Sequence, residues 1–315
     1  MSKPPNIILL TGPPRSGTTF FGKVLARPSN VAYIREPFNI NGPGFPQIYQ
    51  YLDADSPAAP EALFEKMLEG DVKFRSNVRW DIPKRWPSNL VKMLGLRSGC
   101  HYHYLKAKYL PGIDTWLIKD PIGCFSAEYI HRCHGAKVMV ILRHPAAFVS
   151  SMKRVKWKFD FSPWLAQPKL IRDHLQEIPG WSEFDYLCDN PIERNSMQWL
   201  CITRTLLKFL SRNPDMFYVT HEQVSNNPVP EFSRIYEKLG LEWSESVEKY
   251  IRSHTESTEI SPDSGDIHNH VRSSKSLVTR WMHDLTTSEI DTVRRVTGNA
   301  AEELYGSTAW NITDR

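Results

Sequence analysis

Residues 12–19 read Gly12-Pro13-Pro14-Arg15-Ser16-Gly17-Thr18-Thr19, two glycines at the spacing of an anion-binding loop followed by two hydroxyls. Glycines let the backbone curl so that successive N–H groups point inward, and a helix starting there adds partial positive charge. A nucleoside-triphosphate loop carries lysine where this chain has Thr18. A triphosphate with Mg²⁺ needs that lysine to offset several charges. A sulfuryl group carries one negative charge where a phosphoryl group carries two. N–H groups, hydroxyls and one arginine can hold it without a metal. Pro14, Arg15, Ser16, Gly17, Thr18 and Thr19 are therefore the candidate anion ligands.

A second basic point follows the apolar run Lys137–Leu142, which ends in Arg143-His144-Pro145, with Ser151 eight residues beyond the arginine. In open α/β sheets ligands sit beyond the carboxyl ends of the strands. Arg143 there can fork onto a phosphate, and Ser151 can add a hydroxyl donor. Two anion sites on neighbouring strand ends suit a nucleotide phosphorylated at two positions. Glu36 and Lys119 each end a candidate strand as well.

Short apolar runs predict strands at 7–10, 31–34, Thr115–Lys119, Lys137–Leu142 and Phe217–Thr220. Helical spacing predicts helices at 18–26, 62–69, 126–134, 146–154, 192–210, 230–239 and 287–304. This alternation predicts an α/β fold, a P-loop-type parallel sheet with helices on both faces. One domain over 1–315 is expected, with acceptor-side insertions around 39–112 and 155–190. Residues 39–60 are rich in Gly, Pro, Asn and Asp and read as a surface excursion. Residues 75–112 show no clean period, 155–190 read as an aromatic insertion or lid, and 255–276 as a polar loop.

The chain has 315 residues, 41% of them hydrophobic and 23% charged, and a net charge of +4. That mild excess suits an anionic small ligand and lacks the dense basic stripe of a nucleic-acid binder. Cys100, Cys124, Cys133, Cys188 and Cys201 are odd in number and show no disulfide-framework spacing, which suits a reducing compartment. The first apolar run is short, and no stretch approaches about 18 apolar residues. A cytoplasmic protein without integral membrane association is expected; oligomeric state is not legible.

The two motifs together resemble sulfotransferases that use 3′-phosphoadenosine 5′-phosphosulfate (PAPS), closest in motif to the carbohydrate, Golgi-type and bacterial branches. Pro14-Arg15-Ser16-Gly17-Thr18-Thr19-Phe20 resembles that family's 5′-phosphosulfate loop. Val140-Ile141-Leu142-Arg143-His144-Pro145 with Ser151 resembles its 3′-phosphate site, although the family commonly has Asp where this chain has His144. Arg35-Glu36-Pro37, Lys119-Asp120-Pro121, the segment Tyr218-Val219-Thr220-His221-Glu222 and Trp281 agree more softly.

The resemblance implies sulfuryl transfer from PAPS to an acceptor hydroxyl, without a metal. Arg15 would hold the sulfonate, Lys119 would neutralise the leaving phosphate, and Glu36 would take the acceptor proton. Arg272 and Lys275 would cover the nucleotide. A carbohydrate acceptor is expected from Arg35-Glu36-Pro37 and the aromatic insertion; tyrosine, lipid and small-phenol hydroxyls stay open. A P-loop nucleotide-dependent kinase is the alternative, with Asp120 as a Mg²⁺ carboxylate; a binding module without turnover is a third reading. Cys100 with His101 and His103, and His131 with Cys133 and His134, lack paired metal-ligand spacing, and no metal is expected.

Overall fold

A computed structural model describes residues 5–40, 42–56, 58–75, 98–255 and 276–310. Five strands, β1 (Asn6–Thr11), β2 (Val31–Arg35), β3 (Thr115–Lys119), β4 (Lys137–Leu142) and β5 (Phe217–Thr220), form one sheet in the order β2-β3-β1-β4-β5. All four pairings are parallel, so every carboxyl end lies along one rim. The alternation of side chains along a strand divides the core by face. Ile7 and Leu9 of β1, with Val138, Val140 and Leu142 of β4, join one buried cluster. Ile8 and Leu10, with Met139 and Ile141, join the other. Burial on both faces is why these strands read as unbroken apolar runs.

Helix α1 (Thr18–Leu25) follows β1 and packs on the second face. Helix α2 (Ala59–Glu69) starts earlier than helical spacing suggests, because Pro60 suits a first turn and the Glu61 carboxylate accepts from the Ala58 N–H at 2.8 Å. Helix α3 (Gly99–Tyr109) falls in a stretch without clean sequence period; Ser98 caps it, accepting from the His101 N–H at 3.1 Å. Helix α4 is Ala127–His134, and a 3₁₀ turn, Pro121–Ser126, precedes it. Helix α5 (Pro145–Arg154) follows β4, and α6 (Pro191–Arg212) crosses beside it. Helices α7 (His221–Asn226), α8 (Pro228–Leu239) and α9 (Glu245–Thr255) follow β5, and α10 (Thr287–Tyr305) lies against α6. Helix α9 has no counterpart in the sequence reading.

Two expectations about the insertions need correction. The stretch 39–60 is not a surface excursion: Phe45, Tyr49 and Leu52 are buried, and Phe45 stacks on Phe38 at 4.6 Å between centroids. In 155–190, Phe159, Phe161, Trp164 and Trp181 are buried as well. Rings can enter a core from irregular backbone when that backbone's polar groups find partners. Gln167 supplies them in the first stretch: its carbonyl accepts from the Tyr51 N–H at 2.8 Å, and its amide donates to the Tyr49 carbonyl at 3.1 Å. Arg194 Nε donates to the Phe159 carbonyl at 2.8 Å in the second. Among the described residues, no helix is long and apolar enough to cross a membrane.

Candidate active site

The loop between β1 and α1 lies at the carboxyl rim of the central strand. Gly12 has φ +143°, and a Cβ there would sit 2.1 Å from the Ile141 carbonyl oxygen of β4. Gly17 has φ +92°, and its Cβ would come 2.9 Å from the His221 ring. Both positions exclude side chains for geometric reasons. Gly17 also stands at the start of α1 with no side-chain cap, so the Thr18 and Thr19 N–H groups remain open to an anion, while the Phe20 N–H donates to the Gly17 carbonyl at 2.9 Å. The Ser16 hydroxyl is buried and finds no hydrogen-bond partner among the described residues.

Arg15 lies between the glycines with φ +66°, an uncommon conformation for a residue with a side chain. Its Nε donates to Ser151 Oγ at 3.2 Å, and its carbonyl accepts from Arg143 Nη1 at 2.9 Å. The candidates from the two sequence motifs, 136 and 128 residues apart, thus meet in one bonded chain. Arg143 is itself fixed: its carbonyl accepts from the Trp199 indole at 2.8 Å. Burial is the main cause that lowers the Arg143 pKa to about 10, with Arg154 and Arg15 pushing the same way and Glu222 opposing them. Burial lowers Arg15 too. Guanidiniums gathered in a half-buried groove are a ready site for a multiply charged anion.

The carboxylate candidate lies toward the sheet's edge. Glu36 follows β2 with φ +51°; its N–H donates to the Lys119 carbonyl at 2.9 Å, and its carboxylate pairs with the Lys119 ammonium. Asn39 Nδ2 donates to the other carboxylate oxygen at 3.1 Å. Burial alone would raise the Glu36 pKa, but Lys119, Arg35 and Asn39 together hold it below the usual carboxylate range. Lys119 is fully buried and is not among the residues lining the cavity described below.

Asp120, the candidate Mg²⁺ ligand of the kinase alternative, has both oxygens engaged by backbone. Oδ1 accepts from the Ile122 and Gly123 N–H groups at 2.9 and 3.2 Å, and Oδ2 from the Phe38 N–H at 2.7 Å. It joins the turn after β3 to the loop carrying Glu36. Burial and the neighbouring Glu36 push its pKa up to about 7, against these N–H bonds and Lys119. His144 lies away from the reaction groove: it is buried, stacks on Trp281 at 5.0 Å, and its Nε2 contacts the Ala309 carbonyl at 3.0 Å.

A cavity of about 430 Å³ joins these pieces. Pro14, Arg15, Gly17, Thr18, Thr19, Arg143 and Ser151 line it toward β1 and β4, and Arg35, Glu36, Asn39 and Tyr49 toward β2. All four non-glycine residues with positive φ among the described residues belong here: Arg15, Glu36 and Tyr49 line the cavity, and Lys156 immediately precedes the lining residue Trp157. Such conformations cost roughly 1–3 kcal/mol each and cluster at ligand sites.

Sequence reasoning assigns no site role to Arg154 or His221, and reaches Trp157 only as part of the aromatic insertion. Arg154 ends α5 and Trp157 lies just past it, with the Arg15 guanidinium 5.9 Å from the indole centroid. His221 is buried on the cavity wall, and burial, then Arg143, pushes its pKa well down. Phe20, Phe232 and His254 form an aromatic end, with Phe20 edge-on to Phe232 at 5.9 Å. His221 and Phe20 stood inside quoted motifs but gave no signal of facing a cavity. Arg272 and Lys275 lie outside the described residues, as do His268 and His270. Among the described residues, no group of three or more His, Cys, Asp or Glu is arranged to hold a metal.

A family model described as "Sulfotransferase family" matches residues 5–245. No curated protein matches the chain. Solved structures similar to it include the sulfotransferase domain from the curacin biosynthetic pathway, 16% identical, covering 95% of this chain and 98% of that one with a TM-score of 0.48. A mouse sulfotransferase complexed with PAP is 12% identical over 98% of this chain and 88% of that one, TM-score 0.43. Retinol dehydratase in a complex with retinol and PAP is 13% identical over 96% and 83%, TM-score 0.44.

Proposed function

This chain belongs to the sulfotransferase family, and from that membership we propose its reaction: sulfuryl transfer from PAPS to a hydroxyl, on a carbohydrate acceptor. The observation that carries the donor assignment is the bonded chain Arg15–Ser151 and Arg143–Arg15 inside one cavity. It brings the two anion sites side by side in one groove, without a lysine in the loop. Pro14 to Thr19 cradle the phosphosulfate, and Arg143 with Ser151 takes the 3′-phosphate. Phe20 and Phe232 offer a stacking end for adenine. The engagement of both Asp120 oxygens by backbone N–H groups speaks against the kinase alternative.

In the transfer, the acceptor oxygen forms a bond to sulfur, and the bond from sulfur to the 5′-phosphate oxygen breaks. The electron pair stays on that phosphate, and the acceptor proton passes to Glu36. Donors held in place where charge develops are typically the largest catalytic contribution, and general bases add roughly 10²–10⁴-fold. Before the donor enters, Lys119 is paired with Glu36. That ammonium lies behind the cavity wall, so it meets the leaving phosphate only by giving up this pair and entering the groove, and Glu36 then loses its strongest stabilising cation. Burial then raises its basicity as the acceptor arrives. We read residues 1–315 as one transferase domain, and the five unpaired cysteines suit a reducing, cytoplasmic setting.

Thermal shift with adenosine 3′,5′-bisphosphate against ATP–Mg²⁺ tests the donor. Ligand at 100 times its Kd adds about 2.7 kcal/mol of stability. A larger shift with ATP–Mg²⁺, abolished by chelation, overturns the reading. Glu36→Gln should lose turnover of PAPS with retained bisphosphate affinity; full turnover removes Glu36 from the role of base.

A further inference from the structure

The acceptor half of the cavity carries a charge that the donor does not need. Arg15 is bonded to Ser151, Arg143 to the Arg15 carbonyl, and Arg154 lies 3.4 Å from the Asp284 carboxylate. The Arg35 side chain lines the same cavity and makes no hydrogen bond, and no ion pair within 4 Å, with any described residue, acting on Glu36 only through space. The residue ends edge strand β2, three strands from β4 in the sheet order. At about 4.8 Å per strand its backbone stands about 14 Å from the Arg143 rim, on the far side of the cavity from the 3′-phosphate site. Its immediate neighbour is Glu36, so a group held by Arg35 lies beside the carboxylate that would take the acceptor proton. An exposed arginine is most often only a solvated charge. This one is placed by register, opposite Lys119, on the wall of the reaction cavity.

The second feature is Trp157. Helix α5 ends in a Schellman turn, with Lys156 at φ +54°, its N–H donating to the Lys153 carbonyl at 3.0 Å and the Trp157 N–H to the Met152 carbonyl at 3.0 Å. Asn195 then clamps the outgoing chain: its amide donates to the Trp157 carbonyl at 2.9 Å, and its carbonyl accepts from the Phe159 N–H at 3.1 Å. The backbone is held on both sides, yet the residue is 49% exposed and lines the cavity. The following aromatics, Phe159, Phe161 and Trp164, turn into the core. A pre-placed, half-exposed indole is a platform for the flat apolar face of a ring.

We infer that the acceptor is a sugar ring bearing an anionic substituent, its apolar face on Trp157 and its anion on Arg35. The inference rests on the proposed transferase reading and narrows its acceptor. A hydrogen bond to a charged partner is worth roughly 10- to 100-fold in discrimination. PAPS consumption is measured with methyl β-D-glucuronide, a 6-phosphorylated glucoside and neutral methyl β-D-glucoside. The expected result is at least a tenfold preference in kcat/KM for an anionic sugar, and the two anionic arms separate carboxylate from phosphate. Arg35→Ala should bring the anionic and neutral sugars near parity. Trp157→Ala should raise KM for all of them, Trp157→Phe should restore it, and bisphosphate affinity by calorimetry should hold in each variant. Equal use of all three, preference for the neutral sugar, use of none with bisphosphate binding intact, or preference for an acidic tyrosine peptide each overturns the inference. Only loss of bisphosphate binding in the wild-type protein counts against the donor assignment itself.

Discussion

Asp120→Asn removes one acceptor from the junction that holds the Glu36 loop. The amide keeps a carbonyl for the Ile122 and Gly123 N–H groups, but its NH₂ then faces the Phe38 N–H, which now donates at 2.7 Å. One hydrogen bond is lost and a donor is buried against a donor, at a cost of roughly 1–3 kcal/mol. The urea midpoint should fall with an unchanged m-value. Phe38 stands two residues beyond Glu36, so the shift passes to the carboxylate. A displacement near 1 Å costs roughly 10²-fold in rate. The variant should lose about 10- to 100-fold in kcat while bisphosphate affinity holds, because the cradle hangs on β1 and β4. A pH dependence follows from burial and Glu36, which raise Asp120 to about 7. For an acid raised on folding, the stability contribution is complete below the unfolded pKa of about 4 and is lost as pH rises through about 7. Urea melts from pH 4.5 to 7.5 should show that decline in the wild-type protein and a flatter profile in the variant. An unchanged kcat beside a lowered midpoint would refute the positioning argument, leaving Asp120 a turn cap. Parallel pH profiles would refute its titration.

Ser151→Ala deletes the acceptor of the 3.2 Å bond from Arg15 and should weaken bisphosphate binding about tenfold by calorimetry, within the usual worth of a charge-assisted bond; unchanged affinity sinks the shared-groove assignment. Gly12→Ala places a methyl carbon 2.1 Å from the Ile141 carbonyl at φ +143° and should cost more than about 4 kcal/mol in urea unfolding; wild-type stability would contradict the packing of the loop on β4. Glu36 is depressed in the free protein, so kcat/KM for the donor should hold as pH falls into the ordinary carboxylate range and decline only below it. The acid limb of kcat should lie at higher pH if Lys119 leaves Glu36 during turnover, and coincident limbs would remove that exchange.

Elements whose signal is local were legible. The five strands are legible as apolar runs and each is present; in β1, β3 and β4 this is because strands buried on both faces carry their burial in consecutive residues. The loop 12–19 was legible because its glycines are demanded by backbone geometry. The burial of Tyr49 was not, since it depends on Gln167 and on rings more than a hundred residues away. Helix α3 has almost no apolar face in sequence and forms against β2. In the cavity, Arg15, Arg143, Ser151 and Glu36 were singled out from strand ends. Trp157 was legible only as one ring of the aromatic insertion, and Arg154 and His221 carry no sign of facing the cavity, because helix ends aim them and nothing in their spacing does.

The strand order gives the two halves of the cavity unequal freedom to change. The cradle rises from β1, hydrogen-bonded to neighbours on both sides, and Gly12 touches β4 so closely that its loop can hardly be redrawn. Glu36 and Arg35 leave a strand with one neighbour, and the residues after them reach the core through side chains instead of a ladder. Substitutions there disturb few shared backbone bonds. A lineage could exchange one acceptor for another along this margin while the nucleotide end stayed as it was.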